Sequence, residues 1–208
     1  VVQHYLEKAM ETALIAHGVH NRIAGIVMDV NTGEVLAMST KGDFDPNNPW
    51  EVTDSEALER LAGLTGEAYE EQYAAEQFAQ WRNKAISDPY EPGSVFKLVT
   101  LSAALESGNA SPTDTFYCNG FLEVANRTIH CWKTAGHGQE TLNEILINSC
   151  NPGFMTLGAR MGAETFYKYF EAFGLTEPTG IDIPGEATSI YHALEDIAWL
   201  RAIPGMTI

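Results

Sequence analysis

The chain is poor in basic residues, in cysteine and in long apolar runs, and each shortage narrows what it does. Lys+Arg number 12 against 28 Asp+Glu, a formal net charge of -16. Such a surface repels phosphate backbones, so no nucleic acid is expected as a partner, and a basic patch for anionic lipid is absent too. Only three cysteines occur, Cys118, Cys131 and Cys150. They are too few for a disulfide scaffold and lack the close pairing of a zinc knuckle. Their odd number leaves at least one unpaired within the chain. Whether Cys118 and Cys131 bond depends on where their Cβ atoms fall, which spacing leaves open. His4, His17, His20, His130, His137 and His192 are scattered, with no His-x-x-x-His pair. No metal and no cofactor is therefore expected. No stretch reaches the roughly 18 apolar residues of a membrane span, and no signal-peptide pattern opens the chain. There is no internal repeat.

What is present describes a folded domain. The 208 residues are 45% hydrophobic, with Gly 18 and Pro 9, enough to bury a core as one domain. Leu6, Ala9, Met10, Ala13 and Leu14 recur at helical spacing over 1–17, and Gly18 punctuates the end. Two apolar runs, Ile23–Val30 and Glu34–Met38, flank Asn31-Thr32-Gly33 and predict an antiparallel hairpin. Such a hairpin needs a helix or second sheet against its apolar face. An acidic helical stretch over 54–80 carries Leu58, Leu61 and Leu64 as its stripe, with Gly63 and Gly66 placed to split it. Its aromatics Tyr69, Tyr73 and Phe78 read as packing groups. Further helices are predicted from Ser94 to about Glu106, from Thr141 to Ile147, from Pro152 through Leu157, and over about 163–173. Turns and short strands fill 109–138, and 174–190 reads as loop with short extended pieces.

Two short patterns carry chemistry. Ser94 and Lys97 stand three apart, so a helix puts both on one face. An amine kept neutral beside a hydroxyl can take its proton. A serine at a helix start also lies near unpaired backbone N–H groups suited to negative charge. Alone, the spacing equally fits a helix-capping serine and a solvent-facing lysine. Ser149 and Asn151 form a second element, able to relay a proton and to bind an amide. In isolation they are equally a cap before Pro152. Cys150, between them, is expected to face inward. Arg82 and Asn83 precede the serine segment and are candidates to support it indirectly.

Glu91-Pro92-Gly93-Ser94-Val95-Phe96-Lys97 resembles the active-serine segment of class B penicillin-binding proteins. Ser-x-x-Lys, a Ser-x-Asn element and Lys-Thr-Gly together mark that superfamily. The order and distance of Ser149-Cys150-Asn151 fit as well. So do Gly25–Asp29 with Gly33–Met38, Trp81-Arg82-Asn83, Asn148–Phe154, Cys131-Trp132 with His137-Gly138, and Gly180–Glu186 after Gly174-Leu175. Within the family the chain is most similar to septal and sporulation-type transpeptidases. The resemblance implies a peptidoglycan D,D-transpeptidase on an α/β fold of the α+β kind, an antiparallel sheet with helices on both sides. It implies Ser94 as nucleophile, Lys97 as base, Ser149 as proton relay and Asn151 as the substrate-binding amide. Stem peptides and β-lactam antibiotics are the implied ligands. A glycosyltransferase of the division, elongation or sporulation machinery is the implied partner. The implied location is the outer face of the bacterial plasma membrane, through a span outside this chain. On the same residues a serine β-lactamase, a penicillin-sensing domain or a non-catalytic scaffold for cell-wall synthesis proteins is the alternative.

The third motif departs from the pattern. Lys133-Thr134-Ala135-Gly136 approximates it but precedes Ser149, so its order is wrong. Ile203-Pro204-Gly205-Met206 stands where the family has a Ser-Phe-Gly-Gln-like segment. The chain is thus expected to be a partial transpeptidase domain over 1–208, with the last three of five sheet strands after Ile208. The expected consequences are an open apolar face on the first hairpin, half an oxyanion hole, and weak or no activity in this chain alone.

Overall fold

The structure is a computed structural model and describes residues 1–19, 23–124 and 127–194. It divides into two compact units. The first is Val1–Asp88 with Asp182–Ala187, and the second is Pro89–Ile181 with the chain from Thr188 on.

In the first unit, helix α1 (Val2–His17) ends at Gly18, whose φ of 56° is left-handed and which glycine adopts without a Cβ clash. Strands β1 (Ala24–Met28) and β2 (Val35–Thr40) pair antiparallel as the alternation predicts. Asp29 closes the turn by accepting the N–H of Asn31 at 2.7 Å and of Thr32 at 3.2 Å. Helix α1 covers one face of this hairpin. A Cβ at Gly25 would lie 2.9 Å from Leu6 Cδ1, so a residue without one lets helix and strand meet. The Gln3 side chain bonds both the C=O and the N–H of Met38, at 2.9 and 3.0 Å. Ile26, Met28 and Leu36 point the other way and stay 45%, 52% and 44% exposed.

The acidic stretch divides at the predicted glycines into α2 (Ser55–Leu61) and α3 (Glu67–Trp81). Asp54 caps α2 by accepting the N–H of Ala57. Val52, Ala57 and Leu61 form a small core, with Tyr69 and Tyr73 against it. Of the predicted stripe only Leu61 is buried, Leu58 and Leu64 being exposed, and of the aromatics Phe78 is exposed rather than packed into the core. Arg60 grips Glu76 with two nitrogens, at 2.8 and 2.9 Å. A short helix, α4 (Lys84–Ser87), closes the unit. Returning chain docks there, with Ser87 Oγ donating to Gly185 O at 2.6 Å.

The second unit holds the chemistry-bearing residues. A 3-10 turn over Gly93–Phe96 runs into α5 (Lys97–Glu106). Strands β3 (Thr115–Cys118), β4 (Phe121–Val124), β5 (Arg127–His130) and β6 (Gly138–Thr141) follow. The β4–β5 hairpin is nested inside the β3–β6 pair, both antiparallel. Helices α6 (Leu142–Ile147), α7 (Asn151–Met161) and α8 (Ala163–Ala172) complete it. Thr141 and Glu144 cap α6 reciprocally. Helix α7 continues a turn past Leu157, because Met161 is still a core residue. It is the centre of the unit: Phe154 and Leu157 are fully buried, each worth about 1.5–3 kcal/mol in apolar transfer. Phe96 meets Phe166 and Phe170 of α8, both with ring centroids 6.0 Å apart.

The architecture is α+β, as expected: antiparallel strands flanked by helices. Among the described residues the strands form three two-stranded sheets. Described residues of 174–190 form loop without a strand. Lys133–Gly136 turns between β5 and β6. His20 and the segment Ile203-Pro204-Gly205-Met206 lie outside the described residues.

Candidate active site

Gly93 carries a φ of 59°, and the chain turns there into the 3-10 segment that presents Ser94 to solvent. One turn on, Lys97 opens α5 with only 9% of its surface exposed. The nucleophile is thus accessible and the amine behind it is buried.

Four oxygens surround Lys97 Nζ. Asn151 Oδ1 lies at 2.7 Å, Ser149 O at 2.8 Å, Ser149 Oγ at 3.0 Å and Ser94 Oγ at 3.2 Å. The two shortest contacts are to pure acceptors, which suits the two N–H groups of a neutral amine. Its lone pair is then free for a hydroxyl proton from Ser94 or Ser149. Burial pulls the Lys97 pKa below its ordinary 10.5, with a smaller opposing effect from the neighbouring Cys131 and Cys150 side chains. Among the described residues no carboxylate bonds the amine, and the Phe154 ring lies 5.5 Å from it to the centroid.

Helix α6 ends in a Schellman motif: Ser149 N donates to Leu146 O at 3.0 Å, and Cys150 N to Ile145 O at 2.9 Å. That motif demands a left-handed residue, usually glycine. Here it is Ser149, with φ 46°, the one non-glycine residue of positive φ among the described residues. The turn aims both Ser149 Oγ and Ser149 O at Lys97. Asn151 then opens α7, its Nδ2 donating to His130 O at 3.0 Å, which fixes Oδ1 toward the lysine.

The structure brings Ser94, Lys97, Ser149 and Asn151 together. Arg82 and Asn83 belong to the first unit. Arg82 bonds Ser87 O at 2.5 Å and Asp88 at 2.6 Å, while Asn83 caps α4 and donates to Met38 Sδ at 3.2 Å.

Sequence reasoning missed three supporting residues. Trp132 Nε1 donates to Asn148 O at 2.7 Å, and Asn148 Nδ2 donates to Glu140 Oε1 at 2.8 Å. Glu140 is itself 3% exposed. These bonds tie the Ser149 turn to β6 and to the segment after β5. Trp132 and Asn148 stood within the family-like stretches, but nothing in those stretches reveals that Asn148 has a partner eight residues back.

The expectation that the cysteines form no cluster needs correction. Cys118, Cys131 and Cys150 are free and buried, and with His137 their ligand atoms all lie within 4.8 Å of one another. Spacing rules recognise ligands paired along the chain, whereas these four come from separate strand ends and a helix start. Cys150 faces inward, as expected, with no surface exposed.

A hydroxyl, a buried amine, a second hydroxyl and an amide within bonding reach constitute a serine–lysine nucleophile on a helix-flanked antiparallel fold. Residues 23–201 match the penicillin-binding protein transpeptidase domain, and the chain belongs to that family. It is 38% identical over 197 residues to stage V sporulation protein D of Bacillus subtilis, covering 94% of this chain and 27% of that protein. It is 31% identical over 194 residues to penicillin-binding protein PbpB of Mycobacterium tuberculosis, covering 93% and 25%. The chain thus spans about a quarter of the length of these relatives. Among solved structures it resembles apo penicillin-binding protein 3 of Mycobacterium tuberculosis, with TM-score 0.72, 31% identity and coverage of 93% of this chain and 38% of that one. The aztreonam complex of the same protein gives TM-score 0.74 at 29% identity, covering 100% and 42%.

Proposed function

We propose that the protein carrying this chain is a peptidoglycan D,D-transpeptidase that is acylated at Ser94. The carrying observation is Lys97 Nζ, buried and within reach of both Ser94 Oγ and Ser149 Oγ. Ser94 Oγ attacks the penultimate D-alanine carbonyl of a stem peptide while its proton passes to Lys97. Collapse of the tetrahedral adduct breaks the peptide bond, and a proton returned through Ser149 Oγ leaves on the D-alanine amine. An amine of a second stem peptide then attacks the Ser94 ester, gives up its proton by the same route and forms the cross-link. The Ser94 N–H, in the first turn of its helix, stands ready for the developing oxyanion. Asn151 orients the acyl-donor amide.

β-Lactams acylate the same oxygen, and this rests on family and site together: the related Mycobacterium tuberculosis protein is solved with aztreonam and with ampicillin. A glycosyltransferase is the proposed partner, since solved relatives include a peptidoglycan glycosyltransferase of Eggerthella lenta described by its D,D-transpeptidase domain. No described helix is long and apolar enough to cross a membrane. Family membership supports attachment at the outer face of the bacterial plasma membrane, which we propose is made through residues outside this chain. Arg82 and Asn83 are proposed to act indirectly, by holding the end of the first unit. We further propose that 1–208 is a partial transpeptidase domain, with the Lys-Thr/Ser-Gly strand supplied from elsewhere in the protein.

The test follows D-alanine release from a peptide ending in D-Ala-D-Ala, with and without an acceptor amine. Transpeptidation predicts release that depends on Ser94 and a product joined to the acceptor. Rapid hydrolysis of penicillin, with no joined product, identifies a β-lactamase instead. A stable penicillin ester with neither product identifies a sensor, and no ester at all identifies a scaffold.

A further inference from the structure

Behind the Ser149 turn lies a set of side chains that the proposed chemistry does not use. Cys118 ends β3, Cys131 follows β5, His137 precedes β6 and Cys150 is the residue before α7. The cysteines are 1%, 2% and 0% exposed, and the His137 side chain is 5% exposed. All four ligand atoms fall within 4.8 Å of one another. Cys131 Sγ and His137 Nδ1 are 3.7 Å apart. Two ligands on one tetrahedral zinc, with bonds of about 2.3 Å to sulfur and about 2.0 Å to nitrogen, stand about 3.6 Å apart.

One further feature favours a cation. Glu140 Oε2 is buried without a hydrogen-bond partner among the described residues. Glu140 Oε2 lies 3.7 Å from His137 Nδ1. A bare carboxylate oxygen in a dry space is unfavourable unless positive charge stands near it. The turns bearing Cys118 and His137 press together at two glycines: a Cβ at Gly120 would sit 2.0 Å from Thr134 O, and one at Gly136 2.4 Å from Cys118 O.

We propose that Cys118, Cys131, His137 and Cys150 bind one divalent zinc ion as a closed, tetrahedral, structural site. The three sulfurs and one nitrogen are a donor set that suits zinc and leaves no position open for substrate. On binding, each ligating thiol releases its proton to solvent. The ion joins the end of β3, the end of the β4–β5 hairpin, the start of β6 and the start of α7. It thereby fixes the turn that carries Ser149 and Asn151 without touching the reacting atoms.

The test is metal analysis of the whole protein, purified under reducing conditions without chelator. One zinc per chain is expected. Its removal should lower the melting temperature, and zinc, but not magnesium, should restore it. Replacement by cobalt(II) should give the visible bands of a tetrahedral ion and near-ultraviolet thiolate-to-cobalt absorption. His137→Ala and Cys131→Ser should each weaken zinc binding by about tenfold or more. The wild-type readings stand even where a variant fails to fold. Folded, reduced protein that takes up neither zinc nor cobalt overturns the proposal. So does a disulfide among these cysteines in place of metal, or variants that bind zinc as tightly as the wild type.

Discussion

Ser149 occupies a backbone position that helix ends ordinarily give to glycine. Its φ of 46° costs on the order of 1 kcal/mol for a residue with a Cβ. The strain is retained because the same turn places Oγ and O on Lys97. Ser149→Gly should therefore fold with stability within about 1 kcal/mol of wild type, yet lose about 100-fold or more in Ser94 acylation. Melting curves beside acylation kinetics separate the two effects. Lys97 makes a second prediction. The base must be uncharged, and burial lowers its pKa, so acylation should rise with pH along a limb whose midpoint lies below 10.5. Lys97→Arg, which stays charged, should abolish that limb. A rate independent of pH through this range would remove Lys97 from the role. At this scale the sequence was informative. Ser94 and Lys97 were recognisable as a pair because helical spacing converts to proximity, and Ser149 and Asn151 through their resemblance to a family motif. Glu140 and Trp132 were not, since their function depends on a fold that brings a strand and a loop to Asn148.

Between helices, the α6–α7 corner is set by side chains as much as by its backbone. Asn148 hydrogen-bonds a carboxylate that is 3% exposed, so Asn148→Ala leaves one oxygen of Glu140 without its donor. The expected loss is about 1–3 kcal/mol, read by denaturant melts, with a parallel fall in acylation as the Ser149 turn loosens. Unchanged stability would show that Glu140 finds another donor. Element order was legible for most helices and the first hairpin, while α4 and the individual strands β3 to β6 were not placed. The α1 end at Gly18, the hairpin, the division of α2 from α3 and the start of α7 each carried local punctuation in glycine, proline or alternation. The end of α7 was misplaced because nothing local stops a helix at Leu157; Met161 belongs to it through a core contact that only the folded unit supplies. Likewise, the 3-10 geometry before α5 reflects the positive φ of Gly93, which a motif does not state.

For the molecule as a whole, the acidic charge of -16 said nothing of the chemistry, whose candidate residues lie in the second unit. Family membership follows from a match over residues 23–201, and the residues behind it were visible as motifs. The cysteine–histidine cluster was invisible for the opposite reason: its members are far apart in the chain, and only the nesting of β4–β5 within β3–β6 gathers them. The central claim is that Ser94 is a nucleophile activated by Lys97. Intact-mass spectrometry after incubation with a penicillin, on the protein carrying this chain and on its Ser94→Ala variant, tests it most directly. The account predicts one penicilloyl adduct per chain on the peptide bearing Ser94, absent from the variant. Folded wild-type protein with no adduct, or an adduct that survives in the variant, would contradict it.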